Sequence, residues 1–109
     1  VLFRSKVPGD GLGGRNMEFA LCAAPLIRGL PVLLASLGTD GTDGPTDAAG
    51  ALVTGDSCGR ANASSLDIVQ YAERNDSYHF FRELGDLIVT GPTNTNVMDL
   101  RVILVPALP

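Results

Sequence analysis

Short apolar runs and glycine-rich polar segments alternate along the chain. The apolar runs lie at 2–7, 31–37, 51–54, 87–90 and 97–105, and turn residues bound most of them. Short apolar runs of this kind predict strands. The run at 31–37 is nearly continuous, which predicts a strand covered on both faces.

Helices are predicted between these strands. Apolar residues at 17, 20, 21 and 24 recur at helical spacing and predict a helix from Asn16. This helix should kink or end at Pro25, which lacks an N–H group. Ser65 is the predicted cap of a helix that runs to Arg74, and Asp76 is the predicted cap of an aromatic helix that follows.

Strands that alternate with helices predict the α/β fold class. We therefore expect a single domain over residues 1–109, with a mixed β-sheet flanked by helices. Helical connections favour parallel neighbours, whereas the pair at 87–90 and 97–105 should be antiparallel. A helical turn at 46–49 and a short helix at 58–61 complete the prediction.

Composition and charge exclude several classes of protein. With 109 residues and a net charge of −4, the chain fits one domain and has no basic cluster, so no nucleic-acid partner is expected. No apolar run approaches the roughly 18 residues of a membrane span. Cys22 and Cys58 lack metal-site spacing, which predicts reduced, buried thiols and a cytoplasmic protein. Because the chain starts at Val1 and enters a predicted strand at once, we expect a fragment.

An acidic loop at 38–50 follows the predicted strand at 31–37. It contains the carboxylates of Asp40, Asp43 and Asp47, together with three threonines and several glycines. These carboxylates could ligate Mg²⁺, orient a substrate hydroxyl or act as a general base. The alternative is a surface loop whose glycines serve only its turns.

A glycine loop at 9–14 precedes Arg15 and the first predicted helix. Gly9, Gly11 and Gly14 formally match G-x-G-x-x-G, which is a weak signal for a dinucleotide site. Free amides at the helix N-terminus, together with the Arg15 guanidinium, fit a phosphate or carboxylate better. A glycine turn with Arg15 in a surface ion pair is the plain alternative.

A third polar loop at 91–96 offers threonine hydroxyls and the amides of Asn94 and Asn96, which suit neutral hydrogen bonds to hydroxyl or phosphate oxygens. The single histidine, His79, stands beside two phenylalanines, and we interpret it as structural rather than as a catalytic base.

Four ordered motifs resemble a known family. They are Gly-Gly-Arg-Asn at 13–16, the acidic loop at 38–50, Asn-Asp-Ser-Tyr at 75–78 and Gly-Pro-Thr at 91–93 with Thr95-Asn96-Val97. From about Val7 to Val105 the chain resembles the MOFRL domain, the C-terminal domain of type II glycerate kinases. It departs from the family pattern at Met17, where Gln is usual, and at Asn94, where Gly is usual.

The resemblance implies an ATP- and Mg²⁺-dependent kinase that phosphorylates D-glycerate, in most members to 2-phosphoglycerate. The cleft would lie between this domain and a larger N-terminal domain that is missing here and that would supply a catalytic lysine. Arg15 and Asp40 are the expected catalytic residues. The expected substrate- or phosphate-binding residues are Gly13, Gly14, Asn16, Thr39, Thr95 and Asn96. Asp40 or Asp43 could hold the metal, while Asp43 and Asp47 are expected to hold the loop and cap the turn that follows.

Two other functions stay open at this point. Family relatives labelled hydroxypyruvate reductases, together with the glycine loop, suggest an NAD(P)-dependent reductase. The length of the chain also suits a non-catalytic domain that binds a metabolite or a partner. The number of subunits is not predicted.

Overall fold

The computed structural model describes residues 11–96 and 98–107. Within them, four helices pack against a four-stranded sheet. The helices are α1 (Arg15–Leu26), α2 (Ser57–Ala63), α3 (Ile68–Glu73) and α4 (Ser77–Leu84), and the strands are β1 (Leu33–Gly38), β2 (Gly50–Thr54), β3 (Leu87–Ile88) and β4 (Asp99–Leu104). None of these helices has the length and apolar character that crossing a bilayer requires.

The sheet has the strand order β3-β2-β1-β4, and the three neighbouring pairs are antiparallel. The α/β class is confirmed, but the described sheet is antiparallel where a mixed sheet was expected. For the pair of β1 and β2, the reason is the connection between these two strands. It is the acidic loop rather than a helical crossover, so the chain turns back beside β1. The runs predicted as an antiparallel pair, β3 and β4, lie at opposite edges of the sheet.

Helix α1 buries the apolar stripe that its spacing predicts. Met17, Ala20 and Ala24 have no exposed surface, and Leu21 is 2% exposed. The helix ends one residue beyond Pro25, as the missing N–H of proline predicts. This helix forms the centre of the core.

The core lies on one side of the sheet. Phe80 and Phe81 of α4 are fully buried and pack edge to face, with ring centroids 5.1 Å apart. Leu34 of β1 and Val53 of β2 meet them from the sheet in the same cluster. The helices therefore cover a single face of β1 and β2.

The prediction of a strand covered on both faces is not met in the described residues. Burial alternates along β1, with Leu34 and Ser36 buried and Leu33, Ala35 and Leu37 half-buried. Alternation is the pattern of an antiparallel strand with one face on the core.

Several local predictions are corrected. The cap of α3 is Asp67, whose side chain accepts from the N–H groups of Val69 and Gln70, whereas Ser65 lies in the preceding turn with φ of 60°. Segment 46–49 bends without forming a helical turn, and Cys22 is exposed rather than buried. The short helix near 58–61 is confirmed as α2. The predicted strand at 2–7 lies outside the described residues.

Candidate functional site

A polar cavity of about 350 Å³ lies where three parts of the chain meet. The parts are the N-terminus of α1, the acidic loop and the segment before β4. Its lining residues are Arg15, Asn16, Gly38, Asp40, Thr42, Asp43, Gly44, Asn96, Met98 and Asp99. Among the residues expected to form a site, this cavity brings together Arg15, Asn16, Asp40, Asp43 and Asn96.

The loop at 91–96 is fastened to the acidic loop by hydrogen bonds. The Thr93 hydroxyl donates to the Thr39 carbonyl oxygen at 2.6 Å, and the Thr39 N–H donates to the Met98 carbonyl oxygen at 2.9 Å. Asn94 adopts φ of 59°, the conformation expected for an asparagine in place of a glycine. These contacts hold the two loops side by side.

Asp43 caps α1 from a distant part of the chain. Its Oδ1 accepts from the Asn16 N–H at 3.0 Å, and its Oδ2 accepts from the Met17 N–H at 2.7 Å. Asp43 is 3% exposed, so a carboxylate of the protein itself occupies these helix N-terminal donors. The amides expected to be free for a ligand are therefore engaged at Asn16 and Met17, and Asp43 holds the loop as predicted.

Asp47 does not cap the turn that follows it. The Ala48 N–H donates instead to the Thr46 hydroxyl oxygen at 3.2 Å. The Asp47 carboxylate accepts a hydrogen bond from the Tyr78 hydroxyl at 2.8 Å, and this bond raises the pKa of Tyr78. Asp47 thus ties the acidic loop to α4.

Arg15 forms a two-point ion pair with Asp99. Its Nε lies 2.6 Å from Asp99 Oδ2, and its Nη2 lies 3.0 Å from Asp99 Oδ1. The hydrogen bond to Asp99 raises the pKa of Arg15, and the same bond lowers the pKa of Asp99. The side chain of Arg15 is 64% exposed, and three of its five N–H donors remain for a ligand.

Asp40 presents a half-buried carboxylate to the cavity. Its Oδ1 accepts from the Thr42 N–H at 3.1 Å, which folds the start of the loop into a tight turn. Unlike Asp43 and Asp99, Asp40 has no ion pair or buried cap within the described residues.

Whether the cavity fits Mg²⁺ depends on which of its carboxylates already accept hydrogen bonds from the protein. No group of three or more His, Cys, Asp or Glu side chains that could hold a metal occurs in the described residues. Asp43 and Asp99 are engaged by N–H donors, so Asp40 is the carboxylate best placed for a metal. Mg²⁺ is commonly bound by one or two carboxylates together with substrate phosphates and waters, and Asp40 fits that mode.

Four expected binding residues lie outside the cavity lining. They are Gly13, Gly14, Thr39 and Thr95. The reason is clear at Gly14, where an added Cβ would lie 2.4 Å from the backbone carbon of Asp43. This glycine lets the acidic loop pack directly on the start of α1.

The glycine loop makes contacts that do not resemble a dinucleotide cradle. The Gly11 N–H donates to the Arg74 carbonyl oxygen, and the Leu12 N–H donates to Asp76 Oδ1, both at 3.0 Å. An added Cβ at Gly11 would lie 2.4 Å from the Arg74 oxygen. The described part of this loop is packed against the turn between α3 and α4, and Gly9 lies outside the described residues.

His79 lies away from the cavity. Its Nδ1 is 2.6 Å from Asp76 Oδ1, and its side chain is 40% exposed. Because Asp76 also accepts from Leu12, the pair helps to hold the glycine loop. This placement agrees with a structural histidine.

Asp99 is the main site residue that sequence reasoning missed. It is one of two charged residues in the mainly apolar run at 97–105. Ser36 and Arg101 are two further polar residues inside apolar runs, and both contact the site indirectly. Polar residues that interrupt predicted strands were the signal that could have found them.

A larger cavity of about 860 Å³ lies at the opposite end of the sheet. Its lining is mainly apolar, with Leu30, Val32 and Leu104 among its residues. Arg60, which also lines this cavity, is paired with Asp86 at 2.7 Å. The larger cavity therefore presents fewer polar side chains to a ligand than the polar cavity does.

Comparison with known proteins identifies relatives of the whole described domain. The chain is 52% identical over 97 residues to the D-glycerate 2-kinase of Thermotoga maritima, covering 88% of this chain and 23% of that protein. It is 48% identical over 97 residues to a putative hydroxypyruvate reductase of Agrobacterium vitis, again covering 88% of this chain but 22% of that protein.

A solved structure agrees with these relatives. The crystal structure of glycerate kinase from Thermotoga maritima superposes with a TM-score of 0.88 at 50% identity, over 92% of this chain and 24% of that one. The chain therefore spans about a quarter of the length of the relatives it matches. The family model described as the MOFRL family matches residues 4–99, and the chain belongs to that family.

Proposed function

We propose that residues 1–109 form the C-terminal domain of an ATP-dependent glycerate kinase, which transfers the γ-phosphate of ATP to D-glycerate and gives 2-phosphoglycerate. The family membership and the kinase names of the relatives support this proposal. One observation carries the site assignment. The Arg15 guanidinium and the Asp40 carboxylate line the same polar cavity, between loops held together by hydrogen bonds.

Arg15 supplies positive charge in this reaction. Phosphoryl transfer depends mainly on positioning and on neutralising the charge of the transferred group. Asp99 holds two donors of the guanidinium, so its plane is fixed while the remaining donors point away from that carboxylate. Arg15 then binds an oxygen of the phosphoryl group or the substrate carboxylate.

Asp40 accepts the proton of the attacking hydroxyl of glycerate or orients that hydroxyl. The turn bond from Thr42 fixes one of its oxygens and leaves the second for the substrate. Asn96 lines the same cavity and provides an amide for a further oxygen. The alternative role of Asp40 is to hold Mg²⁺ together with phosphate oxygens, where the ion would neutralise charge on the nucleotide.

The N-terminal part of the kinase completes the site in this proposal. The only lysine of the chain, Lys6, precedes the described residues, and the relatives are about four times longer than the stretch they share with this chain. The nucleotide site and the catalytic lysine are assigned to that preceding domain. We also propose a cytoplasmic location, in keeping with two cysteines that form no disulfide with each other.

Kinetics of the full-length protein test the assignment. Arg15→Ala and Asp40→Ala should each lower kcat/KM for glycerate at least about 100-fold, the usual worth of a transition-state charge contact. Arg82→Ala is the matched control, because Arg82 is an exposed arginine of α4 outside the cavity. Rates close to wild type in Arg15→Ala and Asp40→Ala would reject the site.

The reductase is the second candidate, favoured by the name of the Agrobacterium vitis relative. The contacts of Gly11 and Leu12 within the domain count against a nicotinamide site there. Titration of the full-length protein with NADH and NADPH, followed by fluorescence, separates the two functions. The kinase proposal expects neither cofactor to bind. A non-catalytic domain would show neither cofactor binding nor phosphorylation of glycerate.

A further inference from the structure

A chain of polar side chains connects the edge strand β4 to the candidate site. Arg101 Nε donates to Ser36 Oγ at 3.2 Å, and Ser36 Oγ donates to Asn16 Oδ1 at 2.7 Å. Asn16 Nδ2 then donates to Asp43 Oδ1 at 3.2 Å and to Asp99 Oδ1 at 3.1 Å. The chain therefore ends on two carboxylates that line the cavity.

The donors and acceptors allow this chain a single direction. A guanidinium has no acceptor, so Arg101 must donate to Ser36. The one hydroxyl proton of Ser36 is then left for the amide oxygen of Asn16. Carboxylates only accept, so the NH₂ group of Asn16 must face Asp43 and Asp99. Arg101 thus sets the orientation of every group between itself and the site.

Burial makes each link in the middle costly to lose. Ser36 has no exposed surface, and Asn16 is 1% exposed. A buried amide that lacks a hydrogen-bond partner destabilises the fold by its full desolvation penalty. The arrangement in which all of these bonds are made is therefore favoured. The bonds to Ser36, Asp43 and Asp99 engage both ends of the Asn16 amide group.

Arg101 is held in place by the first helix. Its guanidinium lies over the ring of Phe19, 4.0 Å from the ring centroid. Phe19 belongs to α1, the same helix that begins with Arg15 and Asn16. The contact therefore fixes β4 against α1 beside the cavity.

We propose that Ser36 and Arg101 are positioning residues of the candidate site, which act through Asn16 on Asp99 and so fix the guanidinium of Arg15. Asn16 was expected to bind substrate. In this proposal its side-chain amide instead fixes the positions of the Asp43 and Asp99 carboxylates. The proposal rests on the proposed function for its effect on catalysis, while the arrangement of side chains stands independently of the reaction.

Kinetics of the full-length protein provide the first test. Ser36→Ala and Arg101→Met should lower kcat for glycerate phosphorylation roughly 10- to 100-fold, because misplacing a charged group by about 1 Å has effects of that size. The loss should fall on kcat more than on KM, since the contact of Arg15 strengthens in the transition state.

A conservative variant separates positioning from packing. Arg101→Gln should recover most of the activity lost in Arg101→Met, because the side-chain nitrogen of glutamine stands at the same bond position as Nε of arginine. Arg82→Met is the matched control, since Arg82 also lies over an aromatic ring, 5.7 Å from the Tyr78 centroid, and is not among the residues that line the cavity. Equal kcat in Arg101→Met, Arg101→Gln and wild type would overturn the proposal.

The NMR signals of the Asn16 side-chain amide in the same protein give a readout that does not require activity. In Ser36→Ala and Arg101→Met they should shift and exchange faster with water, and in Arg82→Met they should match wild type. If wild type fails to phosphorylate glycerate, the proposed function fails, and these signals still decide the positioning role. Unchanged signals overturn it. If Ser36→Ala does not fold, the exposed Arg101 variants decide alone.

Discussion

At the residue scale, the three carboxylates of the acidic loop make three different kinds of contact. Asp43 is buried and caps α1, Asp47 is exposed and binds Tyr78, and Asp40 faces the cavity. The sequence distinguishes Asp40 from the others through the family motif, and it predicts that Asp43 holds the loop. It does not show that the partner of Asp43 is a helix some 27 residues earlier in the chain.

The cap of α1 predicts a large effect of Asp43 on stability. Asp43→Ala should lower the free energy of unfolding by about 3 kcal/mol, because a charged acceptor of buried N–H groups is removed. Asp47→Ala is the control and should have a much smaller effect, since Asp47 is exposed. Urea unfolding followed by circular dichroism measures both. Equal losses in the two variants would contradict the role of Asp43 as a cap.

The Arg15–Asp99 pair predicts how stability depends on acid. The bond from Arg15 lowers the pKa of Asp99 below its ordinary value of 3.8. The unfolded chain therefore takes up the proton first as the pH falls, and the stabilisation, complete above the ordinary pKa, declines as the pH drops toward the lower folded value. The difference in unfolding free energy between wild type and Asp99→Asn should be constant from pH 5 to 7 and shrink below about pH 4. If this free-energy difference grew as the pH fell, the pKa of Asp99 would be raised by folding rather than lowered.

At the element scale, local patterns predict the helices better than the sheet. The stripe of α1 and its end near Pro25 follow from spacing and from the missing N–H of one residue. The order of the strands does not follow from local patterns, because pairing depends on residues that are far apart in the chain. The edge positions of β3 and β4 are an example, since each was predicted as a strand and their separation was not.

The pairing of β1 and β2 predicts opposite effects for two glycine substitutions. An added Cβ at Gly50 would lie 1.9 Å from the Ser36 carbonyl oxygen and 2.7 Å from the Leu37 Cα, so Gly50→Ala should cost about 3 kcal/mol through forced opening of the sheet. Among the described residues, no atom lies within 4 Å of an added Cβ at Gly59 in α2. Gly59→Ala should therefore raise stability by about 0.5 to 1 kcal/mol.

Thermal and urea unfolding of both variants give the measurement. The pair uses the same chemical change, so any difference reports the local surroundings of the two glycines. Destabilisation of similar size in both variants would contradict the close approach of β1 and β2.

At the scale of the whole molecule, the described residues form an open domain with one uncovered sheet face. Leu100 and Leu104 of β4 are 48% and 59% exposed, and they share this face with Leu33 and Leu37 of β1. The apolar run at 31–37 predicted a strand covered on both faces, and the described helices cover one face of it. The polar cavity lies at one end of this sheet, where the N-terminus of α1, the acidic loop and the segment at the start of β4 meet.

This architecture predicts that the 109-residue chain alone does not phosphorylate glycerate. The cavity contributes Arg15, Asp40 and Asn96, which are proposed to bind the phosphoryl group and the glycerate hydroxyl. In the proposed kinase, the nucleotide and the catalytic lysine belong to the preceding domain, so the attacking and leaving oxygens cannot be aligned here. A coupled assay that follows ADP production should find turnover in the full-length protein and none in the isolated chain. Circular dichroism of the isolated chain provides the control that it is folded, and glycerate-dependent turnover by the folded chain would show that its own residues complete the site.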